Sequence, residues 1–186
     1  MKILILSDTH MENGILEDIL AYRKECDLIV HCGDTSLPYK TRYKKIDYIV
    51  KGNHDYDESY PTFITHDDYL ITHGHLYNVY KNYDELIRLC KENNVHYCFH
   101  GHTHVPTLQI HEGITFINPG STMINRGSYG YGTYAIVEID KNHFSCRFYH
   151  HTTHECVDYV LEEGLTLLEE FKKLVAQIEK EKTLRQ

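Results

Sequence analysis

Four short polar strings carry side chains able to hold a metal ion: Ser7-Asp8-Thr9-His10, Gly33-Asp34, Gly52-Asn53-His54-Asp55 and Gly101-His102-Thr103-His104. Each follows a short apolar run, where a strand would end. Tyr69-Leu70-Ile71 likewise runs into Thr72-His73. Core packing does not predict that arrangement; a metal centre at the tips of a sheet does. In an open α/β sheet, ligands bind beyond the carboxyl ends of the strands. If the strands share one sheet, Asp8, His10, Asp34, Asn53, His73, His102 and His104 can converge on one edge. Two carboxylates, one amide oxygen and four imidazoles suit Mn²⁺, Fe or Zn²⁺, whereas Ca²⁺ and Mg²⁺ prefer all-oxygen shells. Seven ligands are too many for one ion and about right for two, with one carboxylate shared. Asp8 and His10, two residues apart, can chelate one ion. His102 and His104 could straddle the pair, and Asp34 is the natural bridge. Taken singly, an aspartate after a strand is a turn former, so the pattern carries the reading.

The elements that must position these residues follow an α/β rhythm. Lys2 to Leu6 reads as a buried strand, and Asn13 can cap a helix running to about Cys26. Leu28 to Val30 and Ile46 to Val50 are the next strands, which indicates parallel pairing. Tyr69 to Ile71 follows, then a helix capped by Asn82 that carries Leu86, Ile87 and Cys90. Val95 to Phe99 and Thr115 to Ile117 come after it. Tyr134 to Ile139 and Phe144 to Tyr149 alternate around a turn and form an antiparallel hairpin. Residues 1–163 read as one domain. Residues 164–186 read as an amphipathic helix, regular from about Leu165, with a stripe of Leu167, Phe171, Leu174 and Ile178 and a Glu169–Lys173 pair. That helix packs on the same domain or makes a contact in a homo-oligomer.

The composition fits one soluble domain: 186 residues, 41% hydrophobic and 25% charged. A net charge of −8 argues against general nucleic-acid or membrane-surface binding. No apolar run is long enough for a membrane span or a signal peptide, so the chain reads as cytoplasmic, with its six cysteines reduced. Fifteen histidines are roughly three to four times the usual number for this length. His143, His150, His151 and His154 show no ligand spacing and read as solvent-exposed.

Asp-x-His, Gly-Asp, Gly-Asn-His-Asp, His-Gly and Gly-His-x-His, in that order, resemble the calcineurin-like metallophosphoesterase superfamily. The short spacings and Asn118-Pro119-Gly120-Ser121 resemble its small single-domain phosphodiesterase branch, over roughly residues 1 to 150. The resemblance implies a four-layer α-β-β-α sandwich of two mixed sheets flanked by helices. It also implies a site for two divalent ions, commonly Mn²⁺, with Zn²⁺, Fe²⁺ or Ni²⁺ as alternatives. By position, Asp8, His10, Asp34 and His104 would hold the first ion. Asp34, Asn53, His73 and His102 would hold the second, with His75 outside the ligand set. The substrate would be a small phosphoester, more in keeping with a diester, hydrolysed by in-line attack of a bridging hydroxide. His54 stands where the family can protonate the leaving oxygen, and Asp55 would orient His54 or cap the following turn.

Arg126 lies in a loop with Tyr129 and Tyr131; an arginine there can bind phosphate and tyrosines can stack on a base, against the plainer reading of a surface loop. Lys40, Arg42, Lys44 and Lys45 read as a solvated face. A second function is a non-catalytic scaffold acting through protein contacts, because the chain also resembles the small scaffold subunit of the retromer coat. That relative is altered at catalytic positions, whereas His10, Asn53 and His54 are present here. The H-x-H-x-D-H string of metallo-β-lactamase-type hydrolases is absent.

Overall fold

Alternation along the first strand sets the layering. Ile3 and Ile5 face one buried cluster, and Leu4 and Leu6 face another. A computed structural model describes residues 1–10, 14–41, 44–126, 130–140 and 143–184. In chain order its elements are β1 (Lys2–Leu6), α1 (Ile15–Tyr22), β2 (Leu28–His31), β3 (Tyr48–Ile49), β4 (Phe63–His66), β5 (Tyr69–Thr72), α2 (Asp84–Glu92), β6 (Tyr97–Phe99), β7 (Thr107–His111), β8 (Ile114–Asn118), β9 (Thr133–Asp140), β10 (His143–His150) and α3 (Val160–Leu184). One sheet runs β10-β9-β1-β2-β3 and the other β4-β5-β6-β8-β7. Each has three parallel strands, β1-β2-β3 or β5-β6-β8, with antiparallel strands added outside them. Ile3, Ile5 and Val30 of the first sheet pack with Tyr69, Ile71, Phe99 and Ile117 of the second. Leu4 and Leu6 meet Leu16, Ile19 and Leu20 of α1, and Leu70, Cys98 and Phe116 meet Leu86, Ile87 and Cys90 of α2. Burying both faces of each sheet gives the α-β-β-α order. No described helix is long and apolar enough to cross a membrane.

Several elements differ from the sequence expectation. The edge strands β4 and β7 do not show as apolar runs, because each is only partly buried. The β7–β8 turn, Glu112-Gly113, has positive φ at both residues, the two-residue geometry whose twist suits a hairpin. Helix α1 stops at Tyr22: the next residue, Arg23, turns aside to donate to the Tyr134 hydroxyl at 2.8 Å and lies over the Tyr149 ring. Its expected cap, Asn13, lies outside the described residues. Asn82 does accept the Asp84 N–H, at 3.1 Å. His154 is not solvated; it bonds Tyr134 and Asp18 and stacks on Tyr22.

Helix α3 begins at Val160, inside the span expected to precede it, and passes through Gly164 without breaking. A Cβ at Gly164 would fall on the Pro106 carbonyl, so this glycine permits the close crossing. The inward line is Leu161, Gly164, Leu168, Phe171 and Val175, while Leu174 and Ile178 of the expected stripe are 53% and 43% exposed. Lys172, not Lys173, pairs with Glu169. Alanine normally gains about 1 kcal/mol over glycine inside a helix, but overpacking costs about 1–3 kcal/mol. Gly164→Ala should therefore lower the melting temperature by a few degrees; a rise would show that the helix does not dock as tightly as this.

Candidate metal centre

The seven residues do not come from one sheet. Asp8, His10, Asp34 and Asn53 follow β1, β2 and β3 of the first sheet, and His73, His102 and His104 follow β5 and β6 of the second. They meet at the seam between the sheets. Five of them, Asp8, His10, Asp34, His102 and His104, have φ between 53° and 69°. Left-handed backbone is uncommon outside glycine and costs of order 1–3 kcal/mol per residue, so surrounding bonds must hold it. Asp8 and His10 donate backbone N–H groups to the carbonyls of Gly33 and Asp34, at 3.0 and 2.9 Å. The Ser121 hydroxyl donates to the Asp8 carbonyl at 2.9 Å. The Asn118 amide donates to Gly101 O and Thr103 Oγ1, both at 2.9 Å, which gives the Asn-Pro-Gly-Ser segment a supporting role behind the histidines.

The centre is built around one carboxylate oxygen. Asp8 is fully buried. Its Oδ2 accepts the Ser7 hydroxyl at 2.6 Å and the His102 N–H at 3.2 Å. Its Oδ1 is buried with no hydrogen-bond donor among the described residues. That oxygen lies 3.0 Å from His104 Nε2 and 3.8 Å from His73 Nε2, and His104 Nε2 lies 3.3 Å from His10 Nε2. Leaving a buried carboxylate oxygen without a donor is costly, and a cation would remove that cost.

Two groups of ligand atoms within 4.8 Å of one another result: Asp8, His10 and His104, and Asp8, Asp34 and His73. Asp8 is common to both, whereas spacing alone suggests Asp34. The reason is position: β1 is the middle strand of its sheet, and its end abuts Gly101, where any Cβ would fall on Ser7 and Asp8. Asp34 stands one strand further out. Its Oδ1 accepts the His54 N–H at 2.7 Å, and its Oδ2 lies 3.3 Å from His73 Nε2. Gly52 leaves room for the same carboxylate. His73 Nδ1 is 2.7 Å from the Cys32 carbonyl. A carbonyl only accepts, so Nδ1 carries the hydrogen and Nε2 faces Asp8, Asp34 and the Asn53 amide oxygen, 3.1 Å away. The His102 ring lies 5.1 Å from that of His73, outside both tight groups, and His75 has a buried Nδ1 with no hydrogen-bond partner among the described residues. This donor set of mixed oxygen and nitrogen, with fixed imidazole orientation, fits divalent metal.

The electrostatics agree. Burial raises the Asp8 pKa, but His73, His104 and the Ser7 bond outweigh it and hold the carboxyl well below its ordinary value. Asp34 is also lowered, because His73 and the His54 N–H outweigh its burial. Burial works against charging His73, yet Asp8 and Asp34 hold its pKa above the ordinary value. A cation bound there would displace that proton.

Burial pushes His102 down to about 4 and lowers His10. His31 and His100 are buried outside the ligand set and are also pushed to about 4 by burial. His31 bonds Thr9 and the Gly33 N–H, and His100 bonds Tyr83 and Gly101. Between pH 6.5 and 4 the unfolded chain takes up protons that these folded histidines refuse. Stability should thus fall as pH drops through that window, by roughly 3 kcal/mol for each such histidine, with His73 opposing in part. Urea midpoints of the metal-stripped protein at pH 7.5 and 4.5 test this; equal midpoints would contradict it.

Around the centre, the exposed His54 ring sits 5.2 Å from His10. Asp55 neither orients His54 nor caps the next turn. Its carboxylate accepts from Asp34 N, Gly52 N, Ser36 N and Thr35 Oγ1, clamping the two loops together. Arg126 is exposed, with its N–H on the His104 carbonyl and its guanidinium 5.7 Å over the Tyr80 ring. Tyr131 stacks instead on His150 and bonds Tyr159, while Tyr129 and Arg42 lie outside the described residues. Tyr80, whose hydroxyl donates to the His102 carbonyl at 3.2 Å, is the neighbour that sequence reasoning missed. Nothing in its local string separates it from the other tyrosines.

Strand ends of two sheets thus converge on oxygen and imidazole groups able to hold divalent metal, the mark of a metal-binding α/β domain. Residues 1–142 match the calcineurin-like phosphoesterase superfamily domain, and the chain belongs to that superfamily. It is 31% identical over 178 residues to a probable metallophosphoesterase, YsnB of Bacillus subtilis, covering 90% of this chain and all of the relative. A crystal structure of a predicted phosphoesterase from Streptococcus pneumoniae is similar, with 31% identity, a TM-score of 0.77 and coverage of 84% of this chain and 92% of the other. The fold is also similar to that of Vps29 from Entamoeba histolytica, solved with Zn²⁺, at 18% identity and a TM-score of 0.67, over 84% and 96% of the two chains.

Proposed function

We propose that this chain is a phosphodiesterase that works with two divalent ions, Mn²⁺ before Zn²⁺, Fe²⁺ or Ni²⁺. The supporting observation is the buried Asp8 Oδ1, which has no hydrogen-bond donor among the described residues and belongs to both ligand groups. One ion falls to Asp8, His10 and His104. The other falls to Asp34 and His73, with Asn53 and His102 completing it. When bound, the pair supplies an activated water and a clamp on phosphate oxygens. Asp8 and Asp34 balance the ions' charge, and the Cys32 carbonyl keeps His73 Nε2 turned inward. His54, exposed beside His10, gives its proton to the departing ester oxygen. Arg126, at the rim beside His104, binds a phosphate oxygen.

Restoring the metal-stripped protein with Mn²⁺, Zn²⁺, Ni²⁺ or Mg²⁺ separately tests the reading. We expect turnover of a phosphodiester with Mn²⁺ to exceed that of the matching monoester. A second reading, a scaffold acting through protein contacts, is favoured by the likeness to Vps29. Absence of hydrolysis with every metal would favour it.

A further inference from the structure

A concavity of about 240 Å³ opens beside the candidate centre, and its lining includes His75, Val79, Tyr80, Lys81, His102 and Val175. His102 ties it to the site, because the same residue neighbours His73. Its walls are fixed. The Tyr80 hydroxyl holds the His102 carbonyl, and the Tyr80 ring meets His102 edge-on at 5.1 Å and Phe171 of α3 at 5.7 Å. The Arg126 guanidinium lies over Tyr80, so a phosphate-binding cation stands at the same aromatic wall. The far wall, Val175, belongs to α3, which lies beyond the residues 1–142 matched to the superfamily domain. This pocket therefore includes a wall that the matched domain does not supply.

Size and lining choose the occupant. Sites for whole drug-sized ligands run to about 300–1,000 Å³, so this space suits one ring system and not a chain segment. Three rings and two valines, with Asn78 and Lys81 as polar neighbours, suit a flat, π-faced group that carries hydrogen-bonding edges. We propose that the concavity receives the retained organic arm of a phosphodiester, an aromatic or heterocyclic ring such as a nucleobase. The proposal rests on the phosphodiesterase reading, which names the substrate's phosphate.

Its test separates the two. Binding of thymidine 5′-monophosphate and of methyl phosphate to the Mn²⁺-loaded protein is measured by calorimetry. Hydrolysis of thymidine 5′-(4-nitrophenyl phosphate) and of methyl 4-nitrophenyl phosphate, which share a leaving group, is measured beside it. The thymidine ligand should bind about tenfold more tightly, the scale of one stacked base. Val175→Trp, which fills the space, should bring that preference to within about twofold and leave methyl phosphate binding unchanged. Val175→Leu, a mild change on a partly exposed helix face, should reduce it in part and decides the matter if the tryptophan variant does not fold. An unchanged preference in a folded variant, or no preference in the parent protein, overturns the pocket. If neither diester is hydrolysed, the phosphodiesterase reading fails, while the binding ratio still decides the pocket.

Discussion

On the proposed two-ion reading, Asp8→Asn should empty both metal positions and lower phosphoester turnover by about a thousandfold or more, since metal ions supply several kcal/mol of transition-state stabilisation. The substitution keeps shape and volume, so the effect is one of charge and lone pairs. Oδ2 is already committed to the Ser7 hydroxyl and the His102 N–H. An amide NH₂ placed there would face two donors; turned the other way, it would aim its hydrogens at the nitrogens where a cation belongs. The first orientation leaves only a neutral amide oxygen facing the ions and the second leaves none, at the residue common to both groups. Elemental analysis of Asp8→Asn and Asp34→Asn, each reloaded with Mn²⁺, reads the outcome. Asp8→Asn should hold well under one ion per chain and Asp34→Asn about one. The reverse pattern would make Asp34 the shared carboxylate and overturn the placement of Asp8 at the junction. The two histidines give a companion result: His104→Ala should lose the ion beside His10, and His102→Ala the ion beside His73.

The candidate site was more legible in the sequence than the frame that holds it. Asp8, His10, Asp34, Asn53, His73, His102 and His104 stand out because a polar, metal-competent residue directly after an apolar run has few other uses when the pattern repeats. Central strands β1, β2, β5 and β8 are equally plain, since burial on both faces demands unbroken apolar runs. Edges β4 and β7 are not, because half-exposed strands carry threonine, histidine and glutamine and lose that signal. What spacing could not supply was which strands share a sheet. The five peptide stretches read locally as one sheet's tips, yet pairing divides them between two sheets, and the ligands meet at the seam between them. Asp55 was legible as a polar residue near the site but not as a loop clamp, because three of its four partners, Asp34, Thr35 and Ser36, lie in an earlier loop far from it in sequence and depend on the two loops meeting. Gly164 misleads for a related reason. Local propensity marks a helix boundary, and only the crossing over Pro106 explains a glycine inside one.

His54→Ala separates acid catalysis from metal binding, and its expected effect is a fall in turnover of about a hundredfold to ten-thousandfold for an alkyl leaving group. The metal content should not change. His54 belongs to neither ligand group, and the bond it makes to Asp34 Oδ1 comes from its backbone N–H, which alanine retains. Its exposed ring beside His10 is thus the part of the residue left for chemistry. Leaving-group dependence distinguishes the role. A 4-nitrophenolate departs without needing a proton, whereas an alkoxide needs one, so a general acid matters little for the first and greatly for the second. The variant should lose far more activity on an alkyl diester than on its 4-nitrophenyl counterpart. Equal losses on both substrates would assign His54 to stabilising charge on the phosphate instead of protonating the leaving oxygen. An unchanged rate on both, with two ions still bound, would remove it from the reaction.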